Sequence, residues 1–152
     1  RGTLFGFAPF RWLITSLGAI RIEREGIGLG GIKEALRRLK RGEVVVLFPE
    51  GTRTHDGRLG QFHGGFITLA RRSGAAILPA AIEGAFDAWP RCRMFPRLGE
   101  IHVRYGSLLP PEDIAKMSDE QVLAEVRRRI QHCLRQLRAH PNMAHLQHRN
   151  CL

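Results

Sequence analysis

Val44-Val45-Val46-Leu47-Phe48-Pro49-Glu50-Gly51-Thr52-Arg53-Thr54 is the stretch on which the reading of the fold turns. Its five leading apolar residues, three of them β-branched, lie between Gly42 and Pro49 and predict a strand buried on both faces, as in a parallel sheet. The polar segment after Phe48 predicts a loop at the carboxyl end of that strand, where open α/β sheets place their ligands. Its residue types suit an oxyanion. Gly51 permits a tight turn, Thr52 and exposed backbone N–H groups can donate, and Arg53 offers a planar fork that matches phosphate. The competing reading is a charged surface loop in which Glu50 and Arg53 neutralise each other.

Upstream, Gly18-Ala19-Ile20-Arg21-Ile22-Glu23-Arg24 alternates apolar and charged residues and predicts a half-buried strand. Ile32, Ala35, Leu36 and Leu39 then recur at helical spacing, predicting an amphipathic helix over 30–41 closed by Gly42. Downstream, Phe62, Phe66, Ile67, Leu69 and Ala70 predict a helix over 62–72 with Gly74 as its stop, and further strands are expected at 75–82 and 100–105. Ser118 and Gln121 form a capping-box pattern ahead of a last helix from Asp119 to about Ala139, with Val122, Leu123, Val126, Ile130, Leu134 and Leu137 as its buried stripe. Strand and helix alternate, so the expected class is α/β, with a mainly parallel or mixed central sheet flanked by helices.

At 152 residues, 43% hydrophobic and 25% charged, the chain has the composition of one folded domain, which argues against disorder and collagen-like repeats. The domain is expected over 1–140, followed by a polar, disordered tail over 141–152. A formal charge of +10, with 21 Arg among the 24 cations, points to an anionic partner. Cys92, Cys133 and Cys151 are odd in number and widely spaced, so no disulfide framework is expected and a reducing setting fits. No apolar run approaches the ~20 residues of a membrane span, since Pro9 and Arg11 break the nearest candidate, Thr3 to Ile20. That stretch is instead a candidate for a membrane interface or for packing on the domain's own core. The His and Cys residues of the C-terminal region match no standard zinc spacing, so no metal site is expected. The cluster of Arg127, Arg128, Arg129, Arg135 and Arg138 reads as the solvated face of a helix, with contact to acidic headgroups as the alternative.

Gly26-x-Gly28-x-x-Gly31 imitates a dinucleotide fingerprint, but the strand before it carries Arg21 and Glu23 where such a strand is buried and apolar. It is read as a glycine-rich turn. Phe48-Pro49-Glu50-Gly51-Thr52-Arg53, by contrast, resembles the third signature block of the glycerolipid acyltransferases of the lysophosphatidic acid type. Gly18 to Arg24 resembles the second block of that family, a Gly-led strand ending in Arg, and Ile77-Leu78-Pro79-Ala80-Ala81-Ile82 the fourth. Order and spacing agree from about residue 5 to 110.

The resemblance implies an enzyme of phospholipid biosynthesis. It would transfer a fatty acyl group from acyl-CoA or acyl carrier protein to the free hydroxyl of 1-acyl-sn-glycerol 3-phosphate, with no cofactor beyond that thioester cosubstrate. By the same resemblance Arg24, Glu50, Gly51 and Arg53 bind or shape the site of the acceptor phosphate, with Thr52 as a further donor on the loop reading above, and Pro79 belongs to the acyl-donor side. An anionic membrane surface, peripheral attachment at its cytoplasmic face and an upstream anchor also follow as expectations. Two departures stand out. No His in the 152 residues has an Asp five positions on, so the catalytic N-H-x-x-x-x-D block of the family is expected before residue 1, and these residues alone are expected to be inactive. The family commonly has Lys where this chain has His63, which can donate to phosphate but is the weaker cation at neutral pH. The rivals are a non-catalytic lipid- or protein-binding remnant of the fold and a nucleic-acid-binding domain. The second is disfavoured because exposed aromatics are not interleaved with the basic residues.

Overall fold

A computed structural model describes residues 29–90, 92–93 and 95–139. The strand expected at 18–24, the apolar opening, Arg24 and the tail over 141–152 lie outside the described residues. The chain divides into two compact units, Arg1–Val45 and Val46–Leu152.

In the first unit, helix α1 spans Leu29–Lys40. Its apolar spacing buries Ala35, while Glu34 reaches along the helix to both Arg37 and Arg38. The hydrogen bond from Arg38 is the main cause of a lowered Glu34 pKa. Arg37, Arg38 and Lys40 crowd the last turn, where the helix dipole favours cations. Gly42, at φ +79°, ends the helix as expected.

The run from Val44 to Phe48 is not the buried strand that its composition predicts. Val44, Val46 and Phe48 are 90%, 76% and 68% exposed, and the run pairs with no strand among the described residues. A doubly buried strand needs a hydrogen-bonding neighbour and a packed layer on each face. Apolar residues create that demand but do not supply the neighbour; the strand expected at 18–24 lies outside the described residues.

In the second unit, α2 spans Gly65–Ser73 and buries Ile67, Leu69 and Ala70. Gly74 stops it at φ +69°, its N–H donating to the Ala70 carbonyl. Strand β1, Ala80–Glu83, pairs antiparallel with β2, His102–Tyr105, in the register Ala80↔Tyr105 to Glu83↔His102. The pair continues as a single bridge between Ile77 and Leu109. The strands expected at 75–82 and 100–105 therefore exist as shorter segments. Among the described residues they form one antiparallel pair.

Two short helices escape the periodicity argument because each is too short to show a period. These are α3, Ala85–Ala88, and α4, Pro111–Lys116, which starts on a proline whose missing N–H costs nothing there. Helix α5, Asp119–Arg138, opens with the full capping box: the Ser118 side chain accepts from the Gln121 N–H, and the Gln121 side chain accepts from the Ser118 N–H. Its stripe buries Val122, Val126, Ile130 and Cys133, with Leu123, Leu134 and Leu137 partly covered. These side chains meet Phe62, Ile67, Ala70, Ala81, Leu109 and Ile114 in one core. Cys133 is a buried free thiol. No helix among the described residues is long and apolar enough to cross a membrane.

Candidate functional site

The loop that follows Phe48 is tied at its base and across its middle. Gly51, at φ +63°, turns the chain and donates its N–H to the Phe48 carbonyl at 3.0 Å. The His63 N–H donates to the Pro49 carbonyl at 2.8 Å, which brings the two ends of the loop together. Across the middle, Glu50 Oε2 accepts the Gly60 N–H at 2.7 Å. A Cβ on Gly60 would stand 2.8 Å from that oxygen, so only glycine allows the approach without displacing the carboxylate. At the tip, Thr54 Oγ1 donates to the Arg58 carbonyl at 2.8 Å and Asp56 Oδ1 accepts the Arg58 N–H at 3.0 Å. That backbone hydrogen bond is the first cause of a lowered Asp56 pKa.

The loop encloses an open cleft of about 500 Å³, whose lining includes Glu50, Thr52, Arg53, His55, Arg58 and His63. Of the residues singled out in sequence, Glu50, Thr52, Arg53 and His63 are thus brought together. Gly51 supports them beside the His63 ring, at a φ of +63° that L side chains rarely adopt. Pro79 is not among the residues that line the cleft: it is buried beside the sheet, and its carbonyl accepts the Gly106 N–H at 2.8 Å. Arg24 lies outside the described residues.

Glu50 and Arg53 do not neutralise each other. The carboxylate is turned to Gly60, and the Arg53 guanidinium lies over the Trp89 ring, 5.1 Å from its centroid. No carboxylate pairs with Arg53 among the described residues. The stacking leaves the in-plane N–H fork of Arg53 available to an anion. With Glu50 engaged by a backbone donor, its charge is partly offset where it would otherwise oppose an incoming phosphate. Among the described residues no cluster of His, Cys, Asp and Glu is arranged to hold a metal.

Three contributors were not assigned to this site from sequence. Trp89, which closes α3, supplies the shelf for Arg53. Arg127 of α5 donates through Nη1 to the Gly60 carbonyl at 2.6 Å and through Nη2 to Leu59 at 3.5 Å, and lies 5.3 Å from the centroid of the buried Phe62 ring. Arg138 donates to the Gly57 carbonyl at 3.1 Å and pairs at 2.8 Å with Glu83, a carboxylate only 8% exposed. Arg129 of the same helix ties down the Ser107 and Leu108 carbonyls. The arginines of α5 are therefore in large part tethers, and the expectation of a merely solvated face is corrected. The one signal in sequence was spacing: Arg127 and Arg138 are three helical turns apart and share a face.

A family model described as Acyltransferase matches residues 2–83. A 1-acyl-sn-glycerol-3-phosphate acyltransferase of Pseudomonas aeruginosa is 34% identical over 68% of this chain and 41% of its own length. The chloroplastic enzyme of that name from Arabidopsis thaliana is 35% identical over 52% of this chain and 23% of its own length. The chain therefore spans well under half the length of these relatives. The crystal structure of the 1-acyl-sn-glycerophosphate (LPA) acyltransferase from Thermotoga maritima superposes with a TM-score of 0.74, at 24% identity, over 91% of this chain and 55% of that one. That likeness shows the α/β fold class that the alternation of elements predicts.

Proposed function

The chain belongs to the Acyltransferase family, and from that membership we propose that it serves transfer of a fatty acyl group to 1-acyl-sn-glycerol 3-phosphate, with the cleft after Phe48 as the seat of the acceptor phosphate. The observation that carries the reading is Arg53, held on Trp89 and free of Glu50, at the edge of a cleft that Thr52 and His63 also line. The Arg53 fork grips two phosphate oxygens while Thr52 and His63 donate to the others. The acceptor hydroxyl then attacks the thioester carbonyl, a C–O bond forms as the C–S bond breaks, and the thiol of coenzyme A or acyl carrier protein leaves with the proton. A thioester is already an activated acyl group, so the reaction calls on no further cofactor. The acceptor and product are anionic amphiphiles, which supports peripheral work at a membrane surface, with the cytoplasmic face as the proposed side.

The test is Arg53→Ala in the full-length protein. Acceptor KM is expected to rise by about 30-fold, the loss of a charge-assisted phosphate contact worth ~2 kcal/mol, while the acyl-donor KM and the unfolding midpoint stay put. An unchanged acceptor KM in a well-folded variant would leave Arg53 as a surface charge and remove the reading.

A further inference from the structure

We propose that Arg127 and Arg138 of α5 are positioning residues for the acceptor-phosphate loop, acting through its backbone and never touching substrate. The proposal rests on the assignment of the 50–63 loop to the acceptor phosphate. Arg127 grips this loop at the same residue that Glu50 holds: the Gly60 N–H goes to Glu50 and the Gly60 carbonyl to Arg127 Nη1. Its second nitrogen reaches Leu59, and its plane lies over Phe62, which is anchored in the core. One planar side chain thus spans residues 59 to 62, just ahead of His63. Arg138, three turns on, holds Gly57 and is itself fixed by the buried Glu83 of β1. A loop with three backbone carbonyls tied to one rigid helix presents Thr52, Arg53 and His63 in a narrower set of positions, which favours binding by removing the ordering that binding would otherwise require. Both arginines lie outside the residues that the family model matches, so the last helix is part of the site without being part of the recognised motif.

Arg127 is the cleaner probe, because removing Arg138 would also strand the buried Glu83 carboxylate. In the full-length protein, Arg127→Ala is expected to raise acceptor KM about tenfold with donor KM unchanged. Arg127→Lys, which keeps one donor but neither the fork nor the stacking plane, is expected to raise it about threefold. Combined with Arg53→Ala, the effect should fall short of the product of the single effects, since both substitutions act on one contact. Gln131→Ala, at an exposed position of the same helix, is the control and should change neither KM. Equal rises in both KM values, or a fully multiplicative double variant, would mark Arg127 as a general stability contact and overturn the proposal. If Arg127→Ala does not fold, the selective threefold effect of Arg127→Lys decides in the same way. Amide hydrogen exchange over 50–63 separates this proposal from the reading beneath it. Faster exchange at Gly60 in the Arg127 variants, with acceptor KM unmoved by Arg53→Ala, would uphold the tether and sink the phosphate assignment; unaltered exchange would sink the tether.

Discussion

Glu50 illustrates how a residue named for its charge can act through its shape. In sequence it stands beside Gly51 and Arg53 and looks like half of an ion pair, yet its carboxylate closes a loop by accepting the N–H of a residue ten positions on. The glycine at that place is required by proximity, with 2.8 Å left for a Cβ, and no property of Gly60 in isolation reveals this. A prediction follows from the geometry. Glu50→Gln preserves an oxygen able to accept from Gly60 and should keep acceptor KM within about threefold of the parent. Glu50→Ala leaves the donor unpaired and should raise it about tenfold, and Gly60→Ala should resemble Glu50→Ala by displacing the carboxylate. Steady-state kinetics on the three variants checks this. If Gln proves as damaging as Ala, the negative charge itself serves the chemistry.

Elements whose determinants are local were legible in the chain. The capping box of Ser118 and Gln121, the Gly74 stop and the stripe of α5 each depend on residues within four positions of one another, and each is present. The Val44 to Phe48 strand failed because a strand is a relation between segments, and the site followed the same division. The cleft residues from Glu50 to His63 sit on one loop and could be read, whereas Arg127 reaches its partner across 67 positions. Helix α5 also carries a pH dependence. Hydrogen bonds first from Arg128 and then from Arg129 hold the Glu125 pKa down from 4.5 to about 2. A depressed folded-state pKa contributes stability that is present above the unfolded value, here near 4.5, and is lost as pH falls through about 2. Arg128 is 64% exposed, so screening reduces the contribution to about 1 kcal/mol. Glu125→Gln should therefore lower the urea midpoint at pH 7 by that equivalent, and the gap from the parent should close between pH 4.5 and 2. A constant gap across this range would mean that packing, not charge, is what Glu125 contributes.

At the scale of the whole molecule, the charge of +10 matters through what remains after internal pairing. Glu34, Glu43, Asp56, Glu83, Asp113, Asp119 and Glu125 are each engaged by a Lys or Arg of the chain. Lys33, Lys40, Arg53, Arg72 and Arg135 have no such partner among the described residues, so their fields extend into solvent. A cation near an anionic leaflet is worth about 1 kcal/mol, and the interaction fades within a Debye length of roughly 8 Å at physiological salt. With two or three of these side chains engaged at once, the protein should prefer vesicles containing anionic phospholipid over neutral vesicles by about 30- to 100-fold at 0.15 M salt. Raising the salt to 1 M shortens the Debye length to about 3 Å and should erase most of that preference, while binding through apolar insertion would persist. Co-sedimentation with the two vesicle types at both salt concentrations separates the two contributions. Equal binding to neutral and anionic vesicles at low salt would show that the unpaired cations do not draw this protein to an anionic surface.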